Sequence, residues 1–103
     1  VEYCVACTSG EYAIQLALRA CGVMPVDEIL ANASTLAPVP GAIHNVGGVA
    51  VQVDIDSNYH IDMADLEAKA ASSGARFLLL FHMRGHMPTW TGWPTSASAS
   101  ISA

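Results

Sequence analysis

Apolar side chains along this chain recur with two spacings, one typical of helices and one typical of strands. Ser9-Gly10 is followed by small and apolar residues spaced i, i+3, i+4 and i+7, at Ile14, Ala17, Leu18 and Cys21. This spacing predicts an amphipathic helix over residues 10–21. Ser9 is a suitable N-cap because its hydroxyl can accept a hydrogen bond from the first turn, and Gly22 suits a left-handed helix end.

The same alternation continues to residue 86. Strands are predicted over residues 1–8, 29–32, 49–54 and 76–82. A second helix with Ser34 or Thr35 as its cap carries the stripe Val39, Ala42, Ile43 and Val46, and Asp62 caps a third helix that ends near Gly74. The order β-α-β-α-β-α-β predicts an α/β fold with a doubly wound, mostly parallel sheet, here only partial.

Residues 87–103 differ from the rest of the chain because they carry no charge and no apolar period. We expect a low-complexity, disordered tail there, which leaves residues 1–86 as the folded unit.

Composition narrows the class of protein. The chain is 52% hydrophobic and 13% charged, against about 25% charged residues in ordinary domains, which indicates a piece of a larger core. A net charge of −5, with four basic residues in no patch, argues against nucleic acid. The apolar run over residues 77–81 is too short to span a membrane, and no signal peptide is visible at Val1.

Three cysteines in apolar surroundings, Cys4, Cys7 and Cys21, predict buried thiols in a reducing cytoplasm. The Cys4-x-x-Cys7 spacing, or the pair His82 and His86, leaves a small redox or metal protein as an alternative. We expect no metal, because the cysteines lie on a predicted strand without a second pair and His82 ends a strand.

A strand that leads through Ser-Gly into a capped helix presents free N–H groups and the positive end of the helix dipole, an arrangement that binds phosphate. An ordinary helix start is the alternative. Motifs elsewhere in the chain favour a phosphate site.

Five blocks of residues, in order along the chain, are similar to the motifs of a known protein family. The block Ser-Gly-Thr-x-Ala-Leu-x-x-Ala-Leu is matched at Ser9, Gly10, Ala13, Ile14, Ala17 and Leu18. The blocks Gly-Asp-Glu-Val, Thr-Phe-x-Ala-x-x-x-Ala-Ile, Gly-Ala-x-Pro-Val-x-x-Asp-x-Asp and His-x-x-Gly are similar to residues 26–29, 35–43, 47–56 and 82–85.

In these blocks the chain resembles the pyridoxal-phosphate-dependent sugar aminotransferases of the DegT–DnrJ–StrS type, which have an aspartate-aminotransferase-like fold. The resemblance implies an enzyme that holds pyridoxal phosphate on a lysine and moves an amino group, typically from glutamate, to a keto-sugar nucleotide. It places Ser9, Gly10 and Glu11 at the phosphate and Leu36 at the ring. Glu11 replaces a threonine or other small residue, and its charge repels a phosphate dianion; Leu36 replaces the stacking aromatic residue.

The lysine and the acid that pairs with the pyridinium nitrogen lie further along in the family than this chain extends. The chain's single lysine, Lys69, is expected to be a solvated surface group. We therefore expect an inactive fragment that does not form the family's homodimer. Asp54 and Asp56 at a strand end are expected to be structural or near the substrate. A degenerate, non-catalytic α/β binding module is the alternative.

The codons of residues 87–94, read from the last base of the Met87 codon, permit Ala-Asp-Met-Asp-Gly-Leu-Ala. This is the family's continuation after Gly-His, so a shift of reading frame after His86 is a further prediction.

Overall fold

The computed structural model describes residues 1–85, 87 and 99–102. Its helices are α1 (Gly10–Ala20), α2 (Pro38–Asn45) and α3 (Met63–Ser72), and its strands are β1 (Glu28–Asn32), β2 (Val49–Val53), β3 (Phe77–Leu80) and β4 (Ala99–Ser102). A short 3-10 turn follows β3 at Met83–Gly85.

The four strands form one parallel sheet in the order β2-β1-β3-β4. Leu30 in the middle of β1 stands opposite Val51 of β2 and Leu78 of β3. Every residue of β3 is buried, as expected for a parallel strand covered on both faces. The predicted α/β class and parallel sheet are therefore confirmed.

Helices cover both faces of the sheet. Helices α1 and α2 pack on one face, which we call the cup face, over a core of Leu18, Val23, Ile29, Ala31, Val39, Ile43, Val46, Phe77 and Leu79. Helix α3 packs on the other, which we call the α3 face, over a core of Leu30, Val53, Ile61, Leu66, Leu78 and Leu80. Neighbouring residues of one strand face opposite cores because strand side chains alternate.

Local signals explain the first and third helices. Ser9 caps α1 by accepting a hydrogen bond from the backbone N–H of Tyr12 at 3.1 Å, and Gly22 takes the left-handed conformation with φ of 83°. Asp62 caps α3 by accepting from the backbone N–H groups of Ala64 and Asp65. These caps are as predicted.

The cap predicted for the second helix is wrong. Helix α2 has Ala37 at its N-cap, with no side-chain cap hydrogen bond. Pro38 and Pro40 occupy its first turn, where their missing N–H groups would have lacked partners in any case, so a capping side chain matters less.

Residues 1–8 form no strand, which corrects the first predicted element. Val1, Tyr3 and Val5 are 118%, 82% and 80% exposed. A strand needs a neighbour to pair its backbone, and the described strands pair only with one another. The cysteines were also predicted wrongly: Cys4, Cys7 and Cys21 are all exposed and free.

Only part of the predicted low-complexity tail, residues 87–103, belongs to the described residues. Strand β4 pairs in parallel with β3, from Phe77 opposite Ala99 to Leu80 opposite Ser102. The rest of that prediction, at residues 88–98 and 103, lies outside the described residues, as does His86. In the described part of the chain, no helix combines the length and apolar character needed to cross a bilayer.

Candidate functional site

A pocket of about 520 Å³ opens on the cup face of the sheet. Its lining includes Gly10, Glu11 and Ile14 of α1, Leu36 and Val39 at the start of α2, and Phe81 after β3. Three of the four predicted site residues, Gly10, Glu11 and Leu36, therefore line one pocket, although Leu36 is 25 residues away from Glu11 in sequence.

The start of α1 is the polar part of this pocket. A Cβ added at Gly10 would meet no atom within 4 Å, so the backbone there is open to an approaching group. The N–H groups of a first helical turn lack intrahelical partners, and the helix dipole is positive at this end. Ser9, the fourth predicted residue, fixes this helix start through its bond to Tyr12. The backbone here suits an anion.

Glu11 has a structural contact that the sequence did not indicate. Its Oε1 accepts hydrogen bonds from Asn45 Nδ2 at 3.2 Å and from Gln15 Nε2 at 3.5 Å. The bond to Asn45 joins the first turn of α1 to the end of α2. The carboxylate nevertheless lines the same pocket as Gly10, where its charge opposes a phosphate dianion.

Leu36 gives the pocket an aliphatic wall. It is 56% exposed and lies with Ile14 and Phe81 around the opening. A leucine can cover a planar ring by apolar contact but offers no π face for stacking.

Lys69 lies on α3, which packs on the opposite face of the sheet from this pocket. Its Nζ donates to Asp65 Oδ2 at 2.8 Å and to the carbonyl oxygen of Gln52 at 2.7 Å. The Asp65 carboxylate raises the pKa of Lys69, and the Lys69 ammonium with the Asp54 N–H lowers the pKa of Asp65. Lys69 is a partly exposed surface residue, and its contacts join α3 to β2.

Asn32 is the residue that the sequence analysis missed. It is buried at the end of β1, where its Oδ1 accepts from the Phe81 N–H at 2.9 Å and its Nδ2 donates to the Phe81 carbonyl at 3.1 Å. This pair of bonds extends the contact between β1 and β3 beyond the ladder and holds Phe81 at the pocket. The sequence does contain an indication of this role, because a single amide side chain directly follows the apolar run Ile29-Leu30-Ala31 and a buried amide needs hydrogen-bond partners.

The aspartates after β2 organise the backbone. The Asp54 N–H donates to Asp65 Oδ2 at 2.8 Å. Asp56 Oδ1 accepts from the N–H groups of Asn58 at 2.8 Å and His60 at 3.0 Å, which closes a tight loop. Within the described residues, no group of three or more His, Cys, Asp or Glu side chains could hold a metal ion.

Comparison with known proteins identifies the family. The model of the DegT/DnrJ/EryC1/StrS aminotransferase family matches residues 1–94. The chain belongs to this family. The match includes the pocket residues of α1 and α2 and extends eight residues beyond the predicted unit of residues 1–86.

Two curated relatives and one solved structure show the extent of the similarity. The "Pleiotropic regulatory protein" of Geobacillus stearothermophilus is 37% identical over 84 residues, which are 81% of this chain and 22% of that protein. The 3-oxo-glucose-6-phosphate:glutamate aminotransferase of Bacillus subtilis (strain 168) is 33% identical over 85 residues, 82% of this chain and 19% of that protein.

The solved structure is that of the "Putative sugar aminotransferase Spr1654 from Streptococcus pneumoniae, PLP-form". It superimposes with a TM-score of 0.68 at 26% identity and covers 77% of this chain and 20% of that one. The aspartate-aminotransferase-like fold is thus confirmed. This chain spans about a fifth of the length of each of the three proteins.

Pyridoxal phosphate fits the pocket only in part. The open backbone at Gly10 and the N-terminus of α1 suit its phosphate. Glu11 opposes that charge, Leu36 cannot stack on the ring, and the chain's single lysine is on the other face of the sheet. No reaction step follows from these residues alone.

Proposed function

We propose that this chain is part of the large domain of a pyridoxal-phosphate-dependent aminotransferase that acts on a keto-sugar nucleotide, with glutamate as amino donor. The observation that supports this proposal is that Gly10 and Leu36 lie in one pocket on the cup face. The resemblance places these two positions, which are distant in sequence, at the phosphate and at the ring. The family match supports amino transfer, and relatives named as transaminases of dTDP- and UDP-linked sugars support the substrate class.

Each site residue has a distinct role in this proposal. Ser9 sets the direction of the first helical turn, Gly10 lets the phosphate approach the backbone, and Leu36 covers one side of the ring. Glu11 holds α1 against α2 through Asn45 and weakens phosphate binding by its charge. The bound cofactor would supply the electron sink for amino transfer.

We further propose that this chain alone transfers no amino group. Lys69 is held by Asp65 and by the backbone of β2 on the α3 face, so it is directed away from the pocket's side of the sheet. The lysine and the pyridinium-binding acid would then come from parts of an intact enzyme outside this sequence.

A non-catalytic binding module is the second candidate, and the Glu11–Asn45 bond favours it. A carboxylate used to join two helices suits a scaffold better than a phosphate site.

The test of the phosphate site is to remove the Glu11 charge. Titration of the full chain with inorganic phosphate, followed by NMR of the backbone amides, should show about tenfold tighter binding at the α1 N-terminus for Glu11→Thr than for the unchanged chain. Removal of one like charge in a partly solvated site accounts for an effect of this size. Thermal unfolding of the variant checks that loss of the Asn45 bond leaves the fold intact.

Glu67→Thr is the matched control, because Glu67 is an exposed glutamate of α3 on the other face. The phosphate affinity of this control should stay within about twofold of that of the unchanged chain, well below the tenfold change expected for Glu11→Thr. Equal affinity in Glu11→Thr and Glu67→Thr would reject the phosphate site and favour the scaffold candidate.

A further inference from the structure

A second cavity, of about 510 Å³, lies beyond the carboxyl ends of three strands. We call it the strand-end cavity; it is lined by Ser34, Asn58, Tyr59, Met83 and Arg84. Ser34 follows β1, Asn58 and Tyr59 follow β2, and Met83 and Arg84 follow β3. Ligands of open parallel sheets commonly bind at this end, where loops from several strands converge.

Two of its lining residues have strained backbones. Tyr59 and Arg84 adopt left-handed conformations with φ of 63° and 54°. The described residues contain only one other non-glycine residue of this kind, Val26. Such strain is unfavourable for residues with bulky side chains and is concentrated at binding sites.

Hydrogen bonds within the loops maintain this strain. The Asp56 carboxylate accepts from the Asn58 and His60 N–H groups, and the Asp56 carbonyl accepts from the Tyr59 N–H at 3.0 Å. The carbonyl of His82 accepts from the Gly85 N–H at 3.0 Å, which fixes the turn that contains Arg84. The backbone that carries the Tyr59 and Arg84 side chains is therefore fixed before any ligand binds.

The lining has the chemistry of a site for an anion joined to a ring. Arg84 is exposed, and no carboxylate of the described residues lies within ion-pair distance of it, in a chain of net charge −5. Its planar guanidinium can bind a carboxylate or phosphate through two parallel hydrogen bonds. Tyr59 is 68% exposed and offers a stacking surface. Ser34 and Asn58 add neutral hydrogen-bonding groups.

We propose that the strand-end cavity binds a ligand in which a planar ring carries a phosphate or carboxylate group, with the anion on Arg84 and the ring against Tyr59. Its described lining shares no residue with the Gly10–Leu36 pocket. The tests below act on the strand-end cavity alone, so their failure is distinguishable from failure of the Glu11→Thr test of the phosphate site.

The first test is an NMR titration of the full chain with uridine 5′-monophosphate, benzoate, uridine and inorganic phosphate. We expect saturable shifts at the amides of Ser34, Asn58, Tyr59 and Arg84, with uridine 5′-monophosphate or benzoate binding at least about tenfold tighter than uridine or phosphate alone. Tighter binding of uridine 5′-monophosphate assigns the anion as phosphate, and tighter binding of benzoate assigns it as carboxylate. No saturable shift with either compound overturns the proposal.

Arg84→Gln should weaken the binding of uridine 5′-monophosphate or benzoate, whichever binds more tightly to the unchanged chain, by about tenfold or more. The reason is that the substitution removes a charged hydrogen-bond donor. Arg19→Gln is the matched control, since Arg19 is an exposed arginine in the last turn of α1. An equal loss in both variants would show a general effect of net charge and would overturn the proposal.

Tyr59→Gly separates binding from folding. Glycine adopts positive φ freely, so this variant should unfold at the same or a higher temperature while its affinity for the ligand falls by about tenfold. Unchanged affinity in Tyr59→Gly would contradict the stacking role. A lower unfolding temperature would contradict the strain that the proposal assigns to this residue.

Discussion

The two faces of the sheet are held by different interactions. On the cup face, α1 and α2 pack over the larger apolar core and are joined to each other by the Glu11–Asn45 hydrogen bond. On the α3 face, one helix is joined to β2 by charged and backbone contacts of Asp65 and Lys69.

This difference separates the groups that an aminotransferase would need to combine. The open helix start and the apolar pocket are on the cup face, whereas the chain's only lysine is used for structure on the α3 face. The pocket and the chain's single lysine therefore lie on opposite faces of the sheet.

The largest expected effect tests whether the two cores are independent. Ile43→Ala on the cup face and Leu66→Ala on the α3 face each remove a fully buried aliphatic side chain. Each should lower the free energy of unfolding by about 2–5 kcal/mol. Because the two side chains lie on opposite sides of the sheet, the double variant should show the sum within about 0.5 kcal/mol.

Urea unfolding of the two single variants and the double variant measures these values. A coupling energy above about 1 kcal/mol would show that the faces are not separate cores.

The next effect concerns the residue that joins β1 to β3. Asn32→Ala leaves the N–H and carbonyl of Phe81 without their amide partner at a buried site. The free energy of unfolding should fall by about 1–3 kcal/mol. Gln52→Ala is the control, because Gln52 is an exposed residue of β2 whose backbone carbonyl, and not its side chain, accepts from Lys69. Equal losses in the two variants would show that Asn32 has no special role.

The smallest expected effect is the pH dependence of the α3 face. Because Lys69 and the Asp54 N–H lower the pKa of Asp65, its ionised form stabilises the fold at pH above its ordinary value of about 3.9, and this contribution is lost as pH falls through the lowered pKa. Because Asp65 raises the pKa of Lys69, the lysine's contribution is present below its ordinary value of about 10.4 and is lost as pH rises through the raised pKa.

Asp65→Asn tests the predicted direction of these pH effects on stability. Thermal unfolding should show that the unchanged chain is more stable than the variant between about pH 5 and 9, with the difference disappearing in stronger acid and stronger base. Glu67→Gln on the same helix should show no stability difference from the unchanged chain that is confined to this pH range. A difference between the unchanged chain and Asp65→Asn that is constant from acid to base would contradict the charged contact.

Local signals allowed much of this fold to be predicted. Ser9 and Asp62 accept hydrogen bonds from their own helices, and the continuous apolar run of β3 is buried at every position. Gly10, Glu11 and Leu36 were placed at one site by resemblance, and the structure brings them to one pocket.

Features that depend on distant partners could not be predicted. Residues 1–8 have the composition of a strand, but a strand exists only where another strand pairs with it. Strand β4 shows the converse, because Ala99–Ser102 carries no strong apolar pattern and is ordered by the edge of β3. The contacts of Lys69 and Asn32 are likewise made across the fold. Lys69 and Gln52 are 17 positions apart in sequence, and Asn32 and Phe81 are 49 positions apart.

The most direct test of the central claim is an absorbance titration of the full chain with pyridoxal phosphate, followed by borohydride reduction and peptide mass analysis. We predict that the spectrum remains that of the free cofactor and that Lys69 carries no adduct, because its ammonium is bound by Asp65 and Gln52 on the α3 face. A saturable new absorbance band, with the cofactor fixed on Lys69 after reduction, would contradict the claim that this chain has the scaffold of the site without its lysine.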